Sequence, residues 1–131
     1  MKIQKSAEDY LETILILSRQ NGSVRAVDIA NALHFSKPSV SIAMKKLREN
    51  GYIAVDGEGN LTLLEPGREI AERIYSRHRL LTHFFVQLGV EKDIAAEDAC
   101  KAEHILSEQT LEKIREYALL HDAESTLKKE D

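Results

Sequence analysis

Between residues 26 and 64 the hydrophobic period changes twice, and that change restricts what the chain can fold into. Val27, Ile29, Ala30 and Leu33 recur at helical spacing over a stretch too short to be stable alone. His34-Phe35-Ser36 follows as a tight turn. Ser36 is placed to cap a second helix, with Pro38 in the first turn, where its missing N–H costs nothing. That helix carries Val40, Met44 and Leu47 inward and ends at Asn50-Gly51. Two β-prone runs, at 52–55 and 61–64, then flank Asp56-Gly57-Glu58-Gly59-Asn60, a turn-forming stretch that pairs them as a hairpin. Helix, turn, helix and hairpin in this order are the parts of a winged helix-turn-helix.

The rest of the chain is helical by period. Ser6 reads as the N-cap of a first helix that carries Tyr10, Leu11, Ile14, Leu15 and Leu17 and stops at Asn21-Gly22. Ser23-Val24-Arg25 allows no more than an edge strand. Pro66-Gly67 opens a long helix that runs through Leu88 to the stop at Gly89. A fifth helix spans 91–106, and Ser107 caps a sixth that reaches about Leu120. The expected class is mainly α with a small β-hairpin. A winged helix-turn-helix over 1–66 precedes a helical domain over 67–120, and a polar, frayed tail occupies 121–131.

Composition narrows the function. The formal net charge of -4 excludes a uniformly basic wrapper of nucleic acid, and one cysteine excludes an internal disulfide or a Cys-rich zinc finger. No apolar run approaches the ~20 residues of a membrane span, so no membrane partner and a cytoplasmic location are expected. The charge is uneven. Residues 1–50 hold eight Lys/Arg against five Asp/Glu, whereas residues 67–131 hold ten against fourteen. A polyanion would therefore meet the front half. On the third helix Ser36, Lys37, Ser39, Ser41, Lys45 and Lys46 face outward, where hydroxyls near the N-terminus can contact bases or phosphates and lysines can neutralise phosphates. The acidic hairpin tip, Asp56 and Glu58, would repel phosphate.

The back half carries a second chemistry. Cys100, Glu103 and His104 fall at i, i+3 and i+4, on one face if that stretch is helical. Thiolate, carboxylate and imidazole together suit a borderline-soft divalent metal. Asp9 and Glu12 are spaced i, i+3 on the first helix, and His78 lies midway along the fourth. By themselves these residues leave two readings open: six donors around one ion, or a small buried cysteine with decorated helix surfaces. No second Glu-His pair is available for a di-metal carboxylate enzyme, and nothing marks an oxyanion hole, so neither an enzyme nor a protein substrate is expected.

Four stretches in order, AEDYLETI at 7–14, DIANALHFSKPSVSIAMKKLRENGYI at 28–53, YSRHRLL at 75–81 and EDACKAEHILSE at 97–108, resemble the diphtheria-toxin-repressor family of metal-dependent transcription regulators. The resemblance extends from about Ser6 to Leu120. It implies a homodimer on a double-stranded palindromic operator, with a divalent metal as corepressor. By position, Asp9, Cys100, Glu103 and His104 match the family's primary or activating site, and Glu12 and His78 match further ligands. DNA contacts would come from Ser36, Lys37, Pro38, Ser39 and Ser41. Cys100 follows the iron-type pattern and Asp9 and Glu12 the manganese-type one, so iron(II) is expected, with manganese(II) next. Thr82 and Ala96 stand where iron-type members carry ancillary ligands, and His83 or Glu97 would have to substitute there. The resemblance is to the short, two-domain form, and no SH3-like third domain is expected. The stripe Leu111, Ile114 and Ala118 is expected at the dimer interface. The competing reading is a winged-helix regulator that senses a small organic effector instead of a metal.

Overall fold

The computed structural model describes residues 4–130, with side chains described through residue 122. It divides into two compact units, Met1–Ile74 and Tyr75–Asp131. The first holds α1 (Lys5–Asn21), α2 (Ala26–Leu33), α3 (Lys37–Glu49), the strands β1 (Ile53–Val55) and β2 (Leu61–Leu63), and the opening turns of α4 (Glu65–Gln87). The second holds the rest of α4, then α5 (Lys92–Ala102) and α6 (Glu108–Glu130).

Helix α1 starts one residue before the expected cap. Gln4 is extended and its carbonyl accepts the Glu8 N–H at 3.0 Å, which leaves Ser6 inside the first turn. Its buried face is Tyr10, Leu11, Ile14 and Leu15, as the period predicts, together with Glu12. The α2–α3 corner is made by His34 in the left-handed region (φ 58°), and the Phe35 N–H reaches back to the Ala30 carbonyl. Phe35 packs edge-on against Tyr10, with centroids 5.9 Å apart. Ser36 caps α3 by accepting the Ser39 N–H at 3.3 Å, and Val40, Met44 and Leu47 are buried. The helix ends in a Schellman arrangement: the Gly51 N–H bonds to Arg48 and the Tyr52 N–H to Leu47, with Gly51 at φ 80°.

The hairpin pairs Ile53 with Leu63 and Val55 with Leu61. Its turn is organised by Asp56, whose Oδ1 accepts the N–H groups of Glu58 and Asn60, both at 2.9 Å, while Oδ2 accepts the Asn60 side-chain amide. These bonds hold the Asp56 carboxyl below its ordinary value of 3.8. The Val24–Arg25 segment joins the hairpin edge. The Leu61 N–H bonds to the Val24 carbonyl at 2.7 Å, and Arg25 bridges Asn60.

The boundary between the units falls after Ile74, inside α4. Gly67 supplies part of the reason. A Cβ built there would lie 2.2 Å from the Tyr52 carbonyl oxygen and 3.3 Å from Leu11 Cδ2, so the first turn of α4 presses backbone to backbone against the start of the hairpin. Ala71 and Ile74, one and two turns on, are fully buried.

In the second unit Leu81, Ala99 and Leu111 form the core, with Leu80, Phe85, Ala102, Leu106 and Ile114 packed around it. Two boundaries differ from the sequence expectation. Helix α5 ends at Ala102; Glu103 is its C-cap, still in the right-handed helical region with its N–H on the Ala99 carbonyl at 2.9 Å, and His104 lies in the turn that follows. The turn is set by the next helix. Ser107 accepts the Thr110 N–H at 3.2 Å, and the Ile105 N–H tightens onto Ala102. Helix α6 runs ten residues past Leu120, because no Gly or Pro follows Gly89 to stop it. Among the described residues no helix is long and apolar enough to cross a membrane.

Two outcomes check this description. Gly67→Ala should cost about 1–3 kcal/mol in denaturant unfolding, because the added methyl meets a fixed backbone oxygen. Asp56 is depressed in the fold, so its contribution is complete above pH 3.8 and is lost as pH falls through the lower, folded value. In a proton-NMR titration the amides of Glu58 and Asn60 should therefore move together below pH 3.8. Movement above that pH would contradict the turn geometry.

Candidate nucleic-acid interface and candidate metal centre

The residues expected to meet DNA share one exposed surface. Ser36, Lys37, Pro38, Ser39, Ser41, Lys45 and Lys46 are all exposed. The Ser36 hydroxyl also donates to the Ser39 hydroxyl at 2.8 Å, so the two serines form the helix cap and line its entrance. Two further residues on this face escaped the sequence reading. Arg48 is exposed and adds a cation one turn beyond Lys45, and Ile42 is exposed by 61%. A further cation reaches the hairpin turn from the start of α2, where the Arg25 guanidinium lies beside Gly59, 3.2 Å from where a Cβ there would be. The exposed Asp56 and Glu58 make the tip acidic, as expected, but Asp56 spends its oxygens on the turn.

The expected metal ligands fall in both units. In the first unit Asp9 is half-buried on α1 and its carbonyl accepts the Thr13 hydroxyl at 2.7 Å, while Glu12 is buried. In the second unit a tight cluster forms around Glu103, which has no solvent exposure. His78 Nδ1, from α4, stands 3.0 Å from Glu103 Oε2, and His104 Nε2 stands 3.4 Å from Glu103 Oε1. The His104 side chain is 3% exposed and that of His78 28%. Glu103 Oε1 is buried with no hydrogen-bond partner among the described residues.

That orphaned oxygen tests the fit of a cation. A buried carboxylate oxygen without a donor is costly, and a divalent ion held by it and by neighbouring imidazole nitrogens would satisfy every lone pair. Imidazole and carboxylate donors suit the middle of the first transition series. His78 and His104, each beside one oxygen of Glu103, are donors of the type such an ion takes. Cys100 is an exposed residue of α5, three positions before Glu103, and Glu103 as the C-cap continues the helical backbone of α5.

The cluster is held in place by Arg77. Its guanidinium donates to the Glu103 carbonyl at 3.3 Å and pairs with Glu108 at the start of α6, so one side chain ties α4 to both ends of the turn. The positions considered for an ancillary ion are otherwise occupied. The Thr82 hydroxyl donates to the His78 carbonyl, Glu97 pairs with Lys101, and His83, half exposed rather than interior, contacts Asp122 at 2.9 Å. This last contact and the Gln87 amide hold the Asp122 carboxyl below its usual value.

The expected dimer stripe needs correction. Leu111 and Ala118 are 2% and 3% exposed, and Ile114 packs against the unit's own core, so these residues hold the protomer together. Sequence period identified one face of α6 correctly but could not say what covers it. The apolar side chains left outward are Ile94, Ile105, Tyr117, Leu119 and Leu120.

A winged helix-turn-helix with a cationic outer face, joined to a helical unit that buries an imidazole–carboxylate–imidazole cluster, has the build of a transcription regulator with a metal effector. The comparisons agree: this chain belongs to the iron-dependent repressor family. Residues 2–61 match the family's N-terminal DNA binding domain, and residues 64–120 match its metal binding and dimerisation domain. The chain is 35% identical over 115 residues to an uncharacterized HTH-type transcriptional regulator of Methanocaldococcus jannaschii, covering 86% of this chain and 92% of that one. It is 35% identical over 116 residues to the transcriptional regulator MntR of Escherichia coli O6:H1, covering 88% and 75%. The solved structure of the manganese regulator SloR superposes with a TM-score of 0.74 at 30% identity, over 89% of this chain and 54% of that one. The chain thus spans about half the length of the solved regulators it resembles. The family is one of transcriptional regulators rather than enzymes.

Arg77→Met should lower manganese(II) affinity ~10–100-fold in calorimetric titration while leaving the helical circular-dichroism signal intact, as expected when a group that orients a ligand is lost. Unchanged affinity would show that the turn holds itself.

Proposed function

We propose that this chain is a metal-dependent DNA-binding repressor. A homodimer with a divalent ion as corepressor binds a palindromic operator and controls metal uptake or homeostasis. The observation that carries the reading is Glu103, a fully buried carboxylate between two imidazoles in a chain of the iron-dependent repressor family. The ion would supply positive charge that buried carboxylate and imidazole donors can share.

The proposed ligands are His78, Glu103 and His104, with Asp9, Glu12 and Cys100 assigned on family resemblance. Iron(II) is favoured and manganese(II) comes next. Imidazole and carboxylate accept both, and cellular availability decides between metals as much as intrinsic affinity does. Relatives named for manganese regulation support keeping both.

The chain's own residues define how a response is possible. Exposed serines at the start of α3 are presented to base edges and phosphates, while Lys37, Lys45, Lys46 and Arg48 neutralise phosphates. A two-fold dimer reads a palindrome when its recognition helices are about one DNA turn, ~34 Å, apart. Metal favours repression only by binding the DNA-competent form more tightly, and by linkage DNA then tightens metal binding by the same factor, ~5–150-fold for a coupling of ~1–3 kcal/mol.

The test is a gel shift on a palindromic duplex with and without chelator, repeated with iron(II), manganese(II), cobalt(II) and zinc. Binding should require metal in the wild type and lose that dependence in Glu103→Ala/His104→Ala, with unchanged circular dichroism. Chelator-insensitive binding by the wild type would overturn the metal reading in favour of an organic effector.

A further inference from the structure

We propose that Ile42 reads a thymine methyl group in the major groove and so sets the base preference of this chain's recognition helix. The inference rests on the reading of the first unit as DNA-binding and goes beyond it by naming the chemical group that is read.

Helix α3 already has its inward stripe in Val40, Met44 and Leu47, all buried. Ile42 is not part of it: 61% of its surface is exposed. Its helical neighbours are Pro38 and Ser39 at i−4 and i−3 and Lys45 and Lys46 at i+3 and i+4, all of them exposed. A large β-branched side chain therefore stands among hydroxyls and ammonium groups, on a face that carries no carboxylate before Glu49. The cations fit a polyanion, so the occupant of this face is a nucleic acid.

Within the major groove one base edge is apolar. Guanine, adenine and cytosine present acceptors and donors, and thymine adds its C5-methyl group. An isoleucine offers no hydrogen bond and would strand a donor or acceptor placed against it, whereas it gains by covering a methyl group. It is also well placed, as the sixth residue of a helix whose N-terminal part meets the bases. Its stiff χ1 means that little rotamer freedom is lost when it docks. Lysines and serines on the same face supply affinity with little base discrimination, which leaves Ile42 as the discriminating contact.

The experiment uses the full chain with saturating manganese(II). Bound duplexes are selected from a random-sequence pool. Each thymine of the most enriched duplex is then replaced in turn by deoxyuridine, which removes the methyl group and nothing else. One thymine per half-site should lose about fourfold in wild-type affinity on replacement, the value of burying one methyl. The same replacement should leave Ile42→Ala unaffected, and a second selection with Ile42→Gln should no longer return thymine at that position. Ile42 is exposed, so both variants should melt with the wild type. If no replacement weakens the wild type, or if replacement weakens wild type and Ile42→Ala equally, the assignment is wrong and the isoleucine faces protein instead. A pool that shows no enrichment at all would overturn the DNA-binding reading, and this inference with it.

Discussion

A carboxylate with no contact with water is the constraint around which the second unit is arranged. Burying an ion is expensive unless it is paired, and removing one partner of a buried pair costs more than never building it. Glu103 is held at that depth by α4 and the turn together: His78 of α4 stands at one oxygen, His104 of the turn at the other, and Arg77, also of α4, fixes the turn's backbone. Apolar packing of Leu81, Ala99 and Leu111 is the ordinary part of this unit. The polar cluster is the part that a packing argument does not explain: Glu103 Oε1 has no hydrogen-bond partner among the described residues, with His104 Nε2 standing 3.4 Å away. The fold keeps an incompletely satisfied polar group in its interior, which is the pattern of a site built for a ligand.

In the first unit the caps and turns are satisfied by neighbours in sequence. Ser36 caps α3, Gly51 closes it, and Asp56 collects the amides of its own turn. The long-range contact that locks the unit is steric, with Gly67 lying flat on the Tyr52 carbonyl. Such a scaffold is rigid without using its surface. The exposed face of α3 is therefore free to combine cations, hydroxyls and one apolar side chain for recognition.

Charge is uneven along the chain: residues 1–50 hold eight Lys/Arg against five Asp/Glu, the first unit as a whole holds ten against ten, and the second eight against twelve. Attraction for a polyanion is therefore a property of the α3 face and not of the whole first unit. At the hairpin tip the carboxylates of Asp56 and Glu58 work against phosphate while the Arg25 guanidinium beside Gly59 works for it.

The sequence by itself determined the elements and their order. Helical periods marked the buried faces of α1 and α3, Ser36 and Gly51 marked the ends of α3, and the Gly-rich stretch between β-prone runs marked the hairpin, because capping and turn chemistry act between near neighbours. It also nominated His78, Glu103 and His104 as donors. Tertiary structure decided what covers each face. Leu111 and Ala118 were legible as a stripe, but their burial within the protomer depends on α4 and α5. Ile42 was legible as a helix residue, and its exposure depends on where Val40, Met44 and Leu47 are drawn. Helix α5 had the composition to continue past Glu103, and it stops at Ala102 where Arg77, from α4, takes the Glu103 carbonyl and Ser107 starts the next helix. Sequence spacing fixes which residues are neighbours on a helix, and contacts distant in the chain decide what covers each face.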